Sequence, residues 1–441
     1  MTSGRGRRLL ATRRRGGALQ VAFAVRAPVR RERVDELRGI LADMGRRNPG
    51  RDDVARMPFA ELTGVHFGRL LLLEEVHDLD RRVIPASLVL MTEVDGPLER
   101  HIADLSELAG SALDAAFGLC EGYPAAPDPA ARRRFLQERR LRPRAAYINT
   151  VGRTVAQIRD EQRLREAIEG FLDRRGDELP EDPRALRADI QRFVLDTPGL
   201  AWARYRAPQP PLRARMREKA HAVGVGAGLL LASPLVLAVL PVVVVVLRAH
   251  EMTDRSERQR PDPAHERSLS ALEDFGAQNQ FSAVGLVKPG LFRRVTIAVV
   301  LFLIDFAARH VFVRGNLAGV KTIHFARWTI LDGWRRAIFT SNYDGSLESY
   351  MDDFIDKVAF GLNASFSNGV GYPKTRFLFL GGAKREDEFK HWLRRRQIPT
   401  QVWYSAYDEL SARNIENNAL VRSGLFGTLA DSEVRAWLRR L

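Results

Sequence analysis

The chain has 441 residues, of which 45% are hydrophobic and 28% are charged, and its formal net charge is +15. These proportions are those of a folded protein and exclude a chain that is disordered throughout. The single cysteine, Cys120, excludes an intrachain disulfide and a zinc site built on several cysteines. Its apolar neighbours in the sequence predict a small core residue.

Arginine carries most of the positive charge, and it is concentrated in two places. The first is a basic N-terminal arm, residues 1–16. The second runs from Arg204 to Lys219 and leads into a long apolar segment. Basic residues beside a membrane segment contact anionic lipid headgroups and fix orientation. We therefore favour membrane lipid over nucleic acid as the partner of these clusters.

Residues 17–175 are predicted to form a first α+β unit. Apolar alternation predicts its strands, at 19–25, 66–75, 87–94 and 144–150. Helical periodicity predicts its helices, at 30–47 and 98–119. The order β-α-β-β-α-β is that of a split βαβ, or ferredoxin-like, unit.

Residues 176–220 are predicted to be a helical, basic connector, and 221–248 a membrane anchor. Within the anchor, residues 222–247 form a run of 26 residues without a charge. As a helix this run would extend about 39 Å, more than the roughly 30 Å of a bilayer core. Residues 249–276 are predicted to be a charged linker.

Residues 277–441 are predicted to form a second α+β unit with the same order of elements. Its strands are predicted at 281–287, 324–331, 335–343 and 401–407, and its helices at 290–312, 347–362 and 385–396. Asp332-Gly333 is the favoured sequence for a two-residue hairpin turn between the second and third of these strands.

The two units are similar in sequence, which predicts an internal duplication. The segment at 63–75 matches 321–333, so that His66 aligns with His324 and Arg69 with Arg327. Further on, 94–105 matches 343–354, which aligns Asp95 with Asp344 and Glu99 with Glu348, and 146–165 resembles 403–422. Four-stranded sheets with one bare face commonly cover each other. We therefore predict that the two units pack as one pseudo-symmetric α+β barrel.

This duplicated pattern resembles the dimeric α+β barrel superfamily, which includes chlorite dismutases and dye-decolourising peroxidases. The resemblance implies haem as a cofactor. However, the peroxidases' GxxDG haem motif is not met, because Ser341 replaces its first glycine in SNYDG (341–345). The chain as a whole is also similar to a little-characterised group of bacterial membrane-associated proteins with HFARW and SNYDGS motifs, a likeness that implies no particular activity.

A single straight span would place the two units on opposite sides of the membrane, where they could not form one barrel. The helix at 290–312 could cross back, but its apolar run, 295–304, is too short, and we predict that it is buried or lies in the interface. Pro234 and Pro241 interrupt the long apolar run. We therefore predict a proline-bent hairpin anchor at the inner or plasma membrane, with both units in the cytoplasm.

The recurring polar residues are the candidates for chemistry. His66 and His324 could bind haem or transfer protons. The alternative is that both are core histidines with hydrogen bonds to the backbone. Asp344 could transfer a proton while Arg327 stabilises negative charge. Alternatively, Asp95 could cap the helix that follows it, and either Asp344 or Ser346 could cap the helix at 347–362. The candidate catalytic residues are thus His324, Arg327 and Asp344, the candidate cofactor ligands are His66 and His324, and no metal site is predicted.

Two functions are compatible with this sequence. The first, which we favour, is a membrane-associated binding or scaffold protein. The second is a haem-dependent, peroxidase-like oxidoreductase. Walker, HExxH, GxSxG and kinase motifs are absent from the sequence, so nucleotide, metalloprotease, hydrolase and kinase chemistries have no support.

Overall fold

The computed structural model describes residues 19–46, 56–313, 315 and 317–441. The predicted basic arm, residues 1–16, lies outside the described residues. The chain is a mixed α+β protein with antiparallel sheets and one long apolar helix. This confirms the predicted fold class at that level.

The strands of the two main sheets come from both halves of the chain. The first half contains β1 (Gln20–Pro28), β2 (Val65–Leu73), β3 (Ser87–Asp95), β4 (Arg140–Leu141) and β5 (Ala145–Ile148). The second half contains β6 (Gln278–Leu286), β7 (Ile323–Leu331), β8 (Arg336–Asp344) and β9 (Val402–Ser405). Short hairpins pair Val76–His77 with Val83–Ile84, and Thr375–Arg376 with Leu380–Gly381.

Helices follow the strands in each half. Before the apolar segment these are α1 (Val34–Gly45), α2 (Leu98–Leu108), α3 (Gly110–Phe117), α4 (Pro129–Glu138), α5 (Val155–Arg175) and α6 (Pro183–Asp196). The remaining helices are α7 (Leu212–Thr253), α8 (Pro263–Ser270), α9 (Leu291–His310), α10 (Leu347–Phe366), α11 (Glu386–Arg394), α12 (Ala412–Leu425) and α13 (Asp431–Leu438).

The predicted strands and helices are confirmed, with local differences. The helix predicted at 98–119 is two helices, because Ala109 leaves helical geometry, with φ −98° and ψ 16°, between α2 and α3. The turn after β7 is longer than the predicted two residues, since Leu331 pairs with Arg336. Asp332 and Gly333 do adopt the positive φ that the sequence predicts, 52° and 61°.

The last strand of each half joins the sheet of the other half. The first sheet has the order β9–β2–β3–β1–β4 and the second has the order β5–β7–β8–β6. Val402 of β9 pairs with Leu70 of β2, and Ala145 of β5 pairs with Trp328 of β7. The sequence places these strands in order but does not show this exchange.

The segments that carry the exchanged strands also contact their own half. β4 pairs with β1 immediately before the chain enters β5. In the same way, the N–H of Val284 in β6 donates to the Arg396 carbonyl at 2.8 Å, and the N–H of Ile398 donates to the Ser282 carbonyl at 2.8 Å. Each segment therefore begins at the edge of one sheet and ends at the edge of the other.

The two sheets pack on each other and, through their other faces, on helices. Between the sheets is a cluster of apolar residues from both, namely Ala24, Leu71, Leu73, Val89, Met91, Leu331 and Ile338. The opposite face of the first sheet packs on α1 to α4, and that of the second packs on α9 to α11. A further cluster joins α5 and α6 to α12 and α13. Cys120 is buried in the core between the first sheet and α1 to α4, as predicted.

The apolar segment forms one continuous helix, α7, with Pro234 and Pro241 inside it. The predicted proline-bent hairpin is therefore wrong. Each proline removes one backbone donor, but a helix can continue through this loss where neighbouring hydrogen bonds persist. Side chains of its central part are exposed, for example Leu231 at 82% and Leu235 at 69%. The helix is long and apolar enough to span a membrane.

Both ends of α7 contact the same helix, α9. Near its beginning, Nδ1 of His221 lies 2.9 Å from Nε2 of His310, at the end of α9. Near its end, the His250 ring stacks on Phe292, at the beginning of α9, with 5.1 Å between centroids. The two helices therefore run in opposite directions, and α7 is attached at two points while the part between them is exposed.

Glu251 fixes the end of α7 to the hairpin that follows α10. This buried carboxylate accepts hydrogen bonds from the N–H groups of Phe377 and Leu378 at 3.0 and 2.8 Å, and from the Thr375 hydroxyl at 2.9 Å. Burial by itself would raise the pKa of Glu251. The donors, including Arg248, outweigh it and lower that pKa. A charged carboxylate thus holds this junction together.

His101 in α2 makes the stability of the first unit depend on pH. It is 3% exposed, its Nε2 lies 2.8 Å from the Thr92 hydroxyl, and burial lowers its pKa to about 4. Below pH 6.5 the unfolded chain gains a proton that the folded chain does not bind, so stability falls as the pH decreases toward 4. From pH 7.5 to 5, the unfolding free energy should fall by about 2 kcal/mol more in the wild type than in His101→Gln. Denaturant titrations of both proteins check this, and equal losses would contradict the assignment.

Candidate functional site

Each recurring histidine pairs with the recurring aspartate of its own half. His66 Nε2 lies 3.0 Å from Asp95 Oδ1, and His324 Nε2 lies 2.7 Å from Asp344 Oδ1. Both histidines are buried, with 0% and 2% of their surface exposed. Because a carboxylate only accepts hydrogen bonds, Nε2 of each ring carries the proton.

Both histidines lie at β-bulges. In β2 the pairing with β3 skips His66, between Val65 and Phe67, and in β7 the pairing with β8 skips His324. A bulge redirects the side chain of the extra residue. Each imidazole consequently packs against the phenylalanine that follows the other histidine, His66 on Phe325 at 5.4 Å and His324 on Phe67 at 5.5 Å. Strict alternation would instead place His324 on the face of Trp328, which packs in the helix-covered core.

The second oxygen of each aspartate binds the beginning of a helix. Asp95 Oδ2 accepts from the N–H of Val155 at 3.1 Å, and Asp344 Oδ2 accepts from the N–H of Ala412 at 2.8 Å. Val155 and Ala412 are the first residues of α5 and α12. The negative carboxylates thus lie at the positive ends of these helices, where the helix dipole stabilises them.

The prediction that Asp95 caps the helix directly after it is therefore wrong, and of the two caps predicted for α10, Asp344 and Ser346, the structure confirms Ser346. The N-cap of α10 is Ser346, whose side chain accepts from the N–H of Ser349, and α2 has no side-chain cap. The aspartates are instead the last residues of β3 and β8, and they contact helices much later in the chain. The sequence favoured capping of α2 and α10 because they directly follow the aspartates. In the folded sheet, both carboxylates instead face the later helices α5 and α12.

The hydroxyl of Tyr407 forms a hydrogen bond with the second ring nitrogen of His66, Nδ1. The two atoms lie 2.8 Å apart. Burial raises the pKa of Tyr407 well above its usual value, and the nearby Asp95, Glu93 and Asp344 act in the same direction. The hydroxyl therefore keeps its proton and donates a hydrogen bond to Nδ1. Both ring nitrogens of His66 are therefore engaged by protein side chains.

Two glutamines make a second recurring set of contacts that sequence reasoning missed. The side-chain amide of Gln20, in β1, donates to the carbonyls of Thr150 and Arg153. The amide of Gln278, in β6, donates to the carbonyls of Tyr407 and Leu410. In each half the glutamine thus binds the loop between the last strand and the helix that follows it. The signal in the sequence was one Gln at the beginning of each first strand.

The aligned arginines cross from one sheet to the other. Arg69 Nη1 donates to the Phe281 carbonyl and the Ser282 hydroxyl, both at 2.9 Å, and its Nη2 donates to the Ser341 carbonyl at 3.1 Å. Arg327 Nη1 donates to the Phe23 carbonyl at 3.0 Å, and its Nη2 lies 3.4 Å from Glu93 Oε1.

Burial lowers the pKa of both guanidinium groups, that of Arg69 to about 10. A guanidinium keeps its proton in proteins, and the Glu93 carboxylate lies close to both groups in the same interior. A buried charge is tolerated only where it is paired and hydrogen-bonded. These arginines accordingly hold the two sheets in one relative position.

The structure brings together some of the predicted site residues and separates others. His324 and Asp344 are in direct contact, and His66 pairs with Asp95. Arg327, the third candidate catalytic residue, directs its hydrogen bonds to Phe23 and Thr340, away from that pair. The three do not form one catalytic cluster in the described part of the chain.

These residues do not fit a haem group. A haem iron needs a free imidazole nitrogen, but both nitrogens of His66 and Nε2 of His324 are already engaged. Aromatic rings of Phe67, Phe325 and Tyr407 fill the space beside the histidines. An open groove of about 600 Å³ between α5 and residues 406–410 has Tyr407 in its lining, but neither histidine.

Comparisons of the chain with protein-family models, with curated proteins and with solved structures find no match.

Replacing the bridging aspartates tests the structural role of the two His–Asp pairs. In Asp344→Ala the buried His324 Nε2–H and the N–H of Ala412 lose their acceptor, and each unsatisfied donor costs about 1–3 kcal/mol. We expect the unfolding free energy to fall by about 3 kcal/mol, and by a similar amount in Asp95→Ala. Asp353→Ala, which removes a surface carboxylate paired with Lys357, is the matched control and should cost less than about 1 kcal/mol. Equal losses in all three variants would contradict this role.

Proposed function

We propose that this chain is a membrane-associated binding or scaffold protein built on a duplicated ferredoxin-like unit. The observation that carries the proposal is α7, whose central apolar side chains are exposed while both of its ends are attached to α9. Leu and Val side chains exposed to water in such numbers are strongly unfavourable. A lipid environment removes that cost.

The recurring contacts support a duplication. In both halves a histidine at a bulge contacts an aspartate at a strand end, and the aspartate binds the first N–H of a later helix. That helix has a hydroxyl N-cap in each case, Thr154 and Ser411. A shared ancestral unit explains why these contacts occur at aligned positions.

The strand exchange supports closure of the two units into one α+β barrel. Each sheet is bordered on both edges by segments that continue into the other sheet, through residues 140–148 and 396–405. In a closed arrangement no sheet edge is left free to aggregate. We place both units on the same side of the membrane, because a bilayer cannot pass between hydrogen-bonded strands.

An exposed apolar surface beside α7 supports contact with lipid. One face of α9 packs on the second sheet through Ile297 and Leu301. Its opposite face exposes a stripe of apolar residues, Leu291, Val295, Val299, Phe302 and Leu303. The hairpin held by Glu251 adds exposed Phe377, Phe379 and Leu380. With α7, these residues form an apolar surface that fits insertion into one leaflet.

The charge around α7 fits the same orientation. Arg213, Arg215, Arg217 and Lys219 lie on the first two turns of the helix, directly before the apolar run. Lysine and arginine side chains at such a boundary reach anionic headgroups while their stems remain in apolar surroundings. We propose that this basic turn meets the headgroups of the cytoplasmic leaflet and that the apolar part of α7 enters the membrane from that side.

Vesicle flotation tests the membrane proposal. Wild-type protein should float with vesicles containing anionic phosphatidylglycerol, and Leu231→Asp/Leu235→Asp should reduce the bound fraction at least tenfold, since each aspartate in an apolar layer costs up to about 2.5 kcal/mol. Leu195→Asp changes an exposed leucine of α6 and is the control expected to float like the wild type. Equal flotation of all three proteins would contradict the role of α7.

The alternative function is the haem-dependent, peroxidase-like oxidoreductase that the superfamily resemblance implies. The observation that favours it is the direct contact between His324 and Asp344, because a carboxylate partner commonly orients a metal-binding histidine. The engaged nitrogens and the filled surroundings of the histidines favour the structural role instead.

A visible absorption spectrum separates the two functions. We expect protein expressed with ample haem and extracted in detergent to lack a Soret band, because both nitrogens of His66 are engaged and aromatic rings fill the space beside both histidines. A Soret band that persists in His101→Gln but is lost in His324→Gln would support the oxidoreductase instead. His101 is a buried histidine of the first unit and therefore a matched control.

A further inference from the structure

A cluster of potential metal ligands lies where α7 begins to become apolar. Glu218 and His221 are three residues apart on one face of α7, and His310 is the last residue of α9. One ligand atom from each of these three residues lies within 4.8 Å of the other two. All three side chains are half-buried, so the cluster is accessible to an ion from solvent.

The two imidazoles are in a state suited to bind a cation. Nδ1 of His221 and Nε2 of His310 are 2.9 Å apart, a separation at which both rings cannot be protonated. A neutral ring is the form that coordinates metal.

We propose that Glu218, His221 and His310 bind a divalent transition-metal ion, with Zn²⁺ as the best chemical fit, and that the ion fastens the beginning of α7 to the end of α9. Two imidazoles and one carboxylate form a common zinc ligand set, and the exposed side leaves a fourth position for water. Mg²⁺ and Ca²⁺ prefer sites made only of oxygen ligands. The inference goes beyond the proposed membrane function and does not depend on it.

The geometry requires only a small adjustment. Bonds of about 2.0–2.1 Å in tetrahedral coordination place two ligand nitrogens roughly 3.3 Å apart. The present separation of 2.9 Å reaches this value by slight rotation of the side chains. The ring of Phe306, 5.0 Å from that of His310, supports His310 from one side. The Asp305 carboxylate is engaged by Arg309 and by the N–H of Ala146.

The sequence does not reveal this site. His221 directly precedes the apolar run, and His310 lies in a different helix far along the chain. The only local signal is the spacing of Glu218 and His221, which is common on solvated helices. The site is created by the antiparallel arrangement of α7 and α9.

Metal titration of the full chain tests the proposal. Untagged protein is purified in detergent, treated with EDTA and titrated with Zn²⁺ against a chromophoric chelator. We expect one equivalent to bind, and Co²⁺ should give the visible absorption typical of tetrahedral coordination. Removing one of three ligands, in Glu218→Gln or His310→Gln, should weaken binding at least about 100-fold.

Two further measurements keep the outcome clear. His250→Gln alters another half-buried histidine of α7, the one that stacks on Phe292, and should bind Zn²⁺ like the wild type. In the wild type, Zn²⁺ should also slow amide exchange at 212–221, with no such effect in Glu218→Gln, a conservative change that leaves the helix intact. No stoichiometric binding by the wild type, or equal affinity in Glu218→Gln, would overturn the proposal.

Discussion

Backbone hydrogen bonds between the two halves of the chain are the constraint on which the other features depend. β9 completes the sheet of the first half and β5 completes the sheet of the second, so neither half has a full set of strands without the other. Separating them would expose two rows of unpaired N–H and C=O groups. Under the membrane function proposed above, the bilayer can therefore lie only to one side of the body, and both ends of α7 must return to the same surface. The attachment of α7 at His221 and at His250 satisfies this requirement.

Between the two hydrogen-bonded sheets, buried charged side chains determine how one sheet packs on the other. Arg69 and Arg327 each reach backbone carbonyls of the opposite sheet, and Glu93 supplies a carboxylate between them. Two sheets with a purely apolar interface could slide past each other with little penalty. A displaced guanidinium, in contrast, would lose several hydrogen bonds in the buried interior. The two His–Asp pairs act in the same way at a different place, since each joins a strand to the beginning of a distant helix. Polar residues at aligned positions therefore serve the architecture of the two sheets.

The sequence predicted the positions of the strands and helices better than it predicted which strands pair with each other. Periodicity placed the strands around His66 and His324 correctly because alternation is a local property of the chain. It assigned β5 and β9 to their own halves, because which edge a strand joins depends on contacts between residues hundreds of positions apart. It also placed His324 on the face of Trp328, since one extra residue at a bulge shifts the alternation without changing the composition. Pro234 and Pro241 predicted a bend, but two missing donors do not end a helix that is otherwise strongly favourable.

The large sequence separation between β2 and β9 has a consequence for biosynthesis. β2 leaves the ribosome early, yet the strand that covers its edge is translated only after the apolar helix and most of the second half. While the chain between β2 and β9 is translated, the edge of β2 beside Arg69 has no partner strand. Contacts of such large sequence separation form slowly. Closure of the first sheet therefore waits until β9 has been translated, long after β2 has left the ribosome.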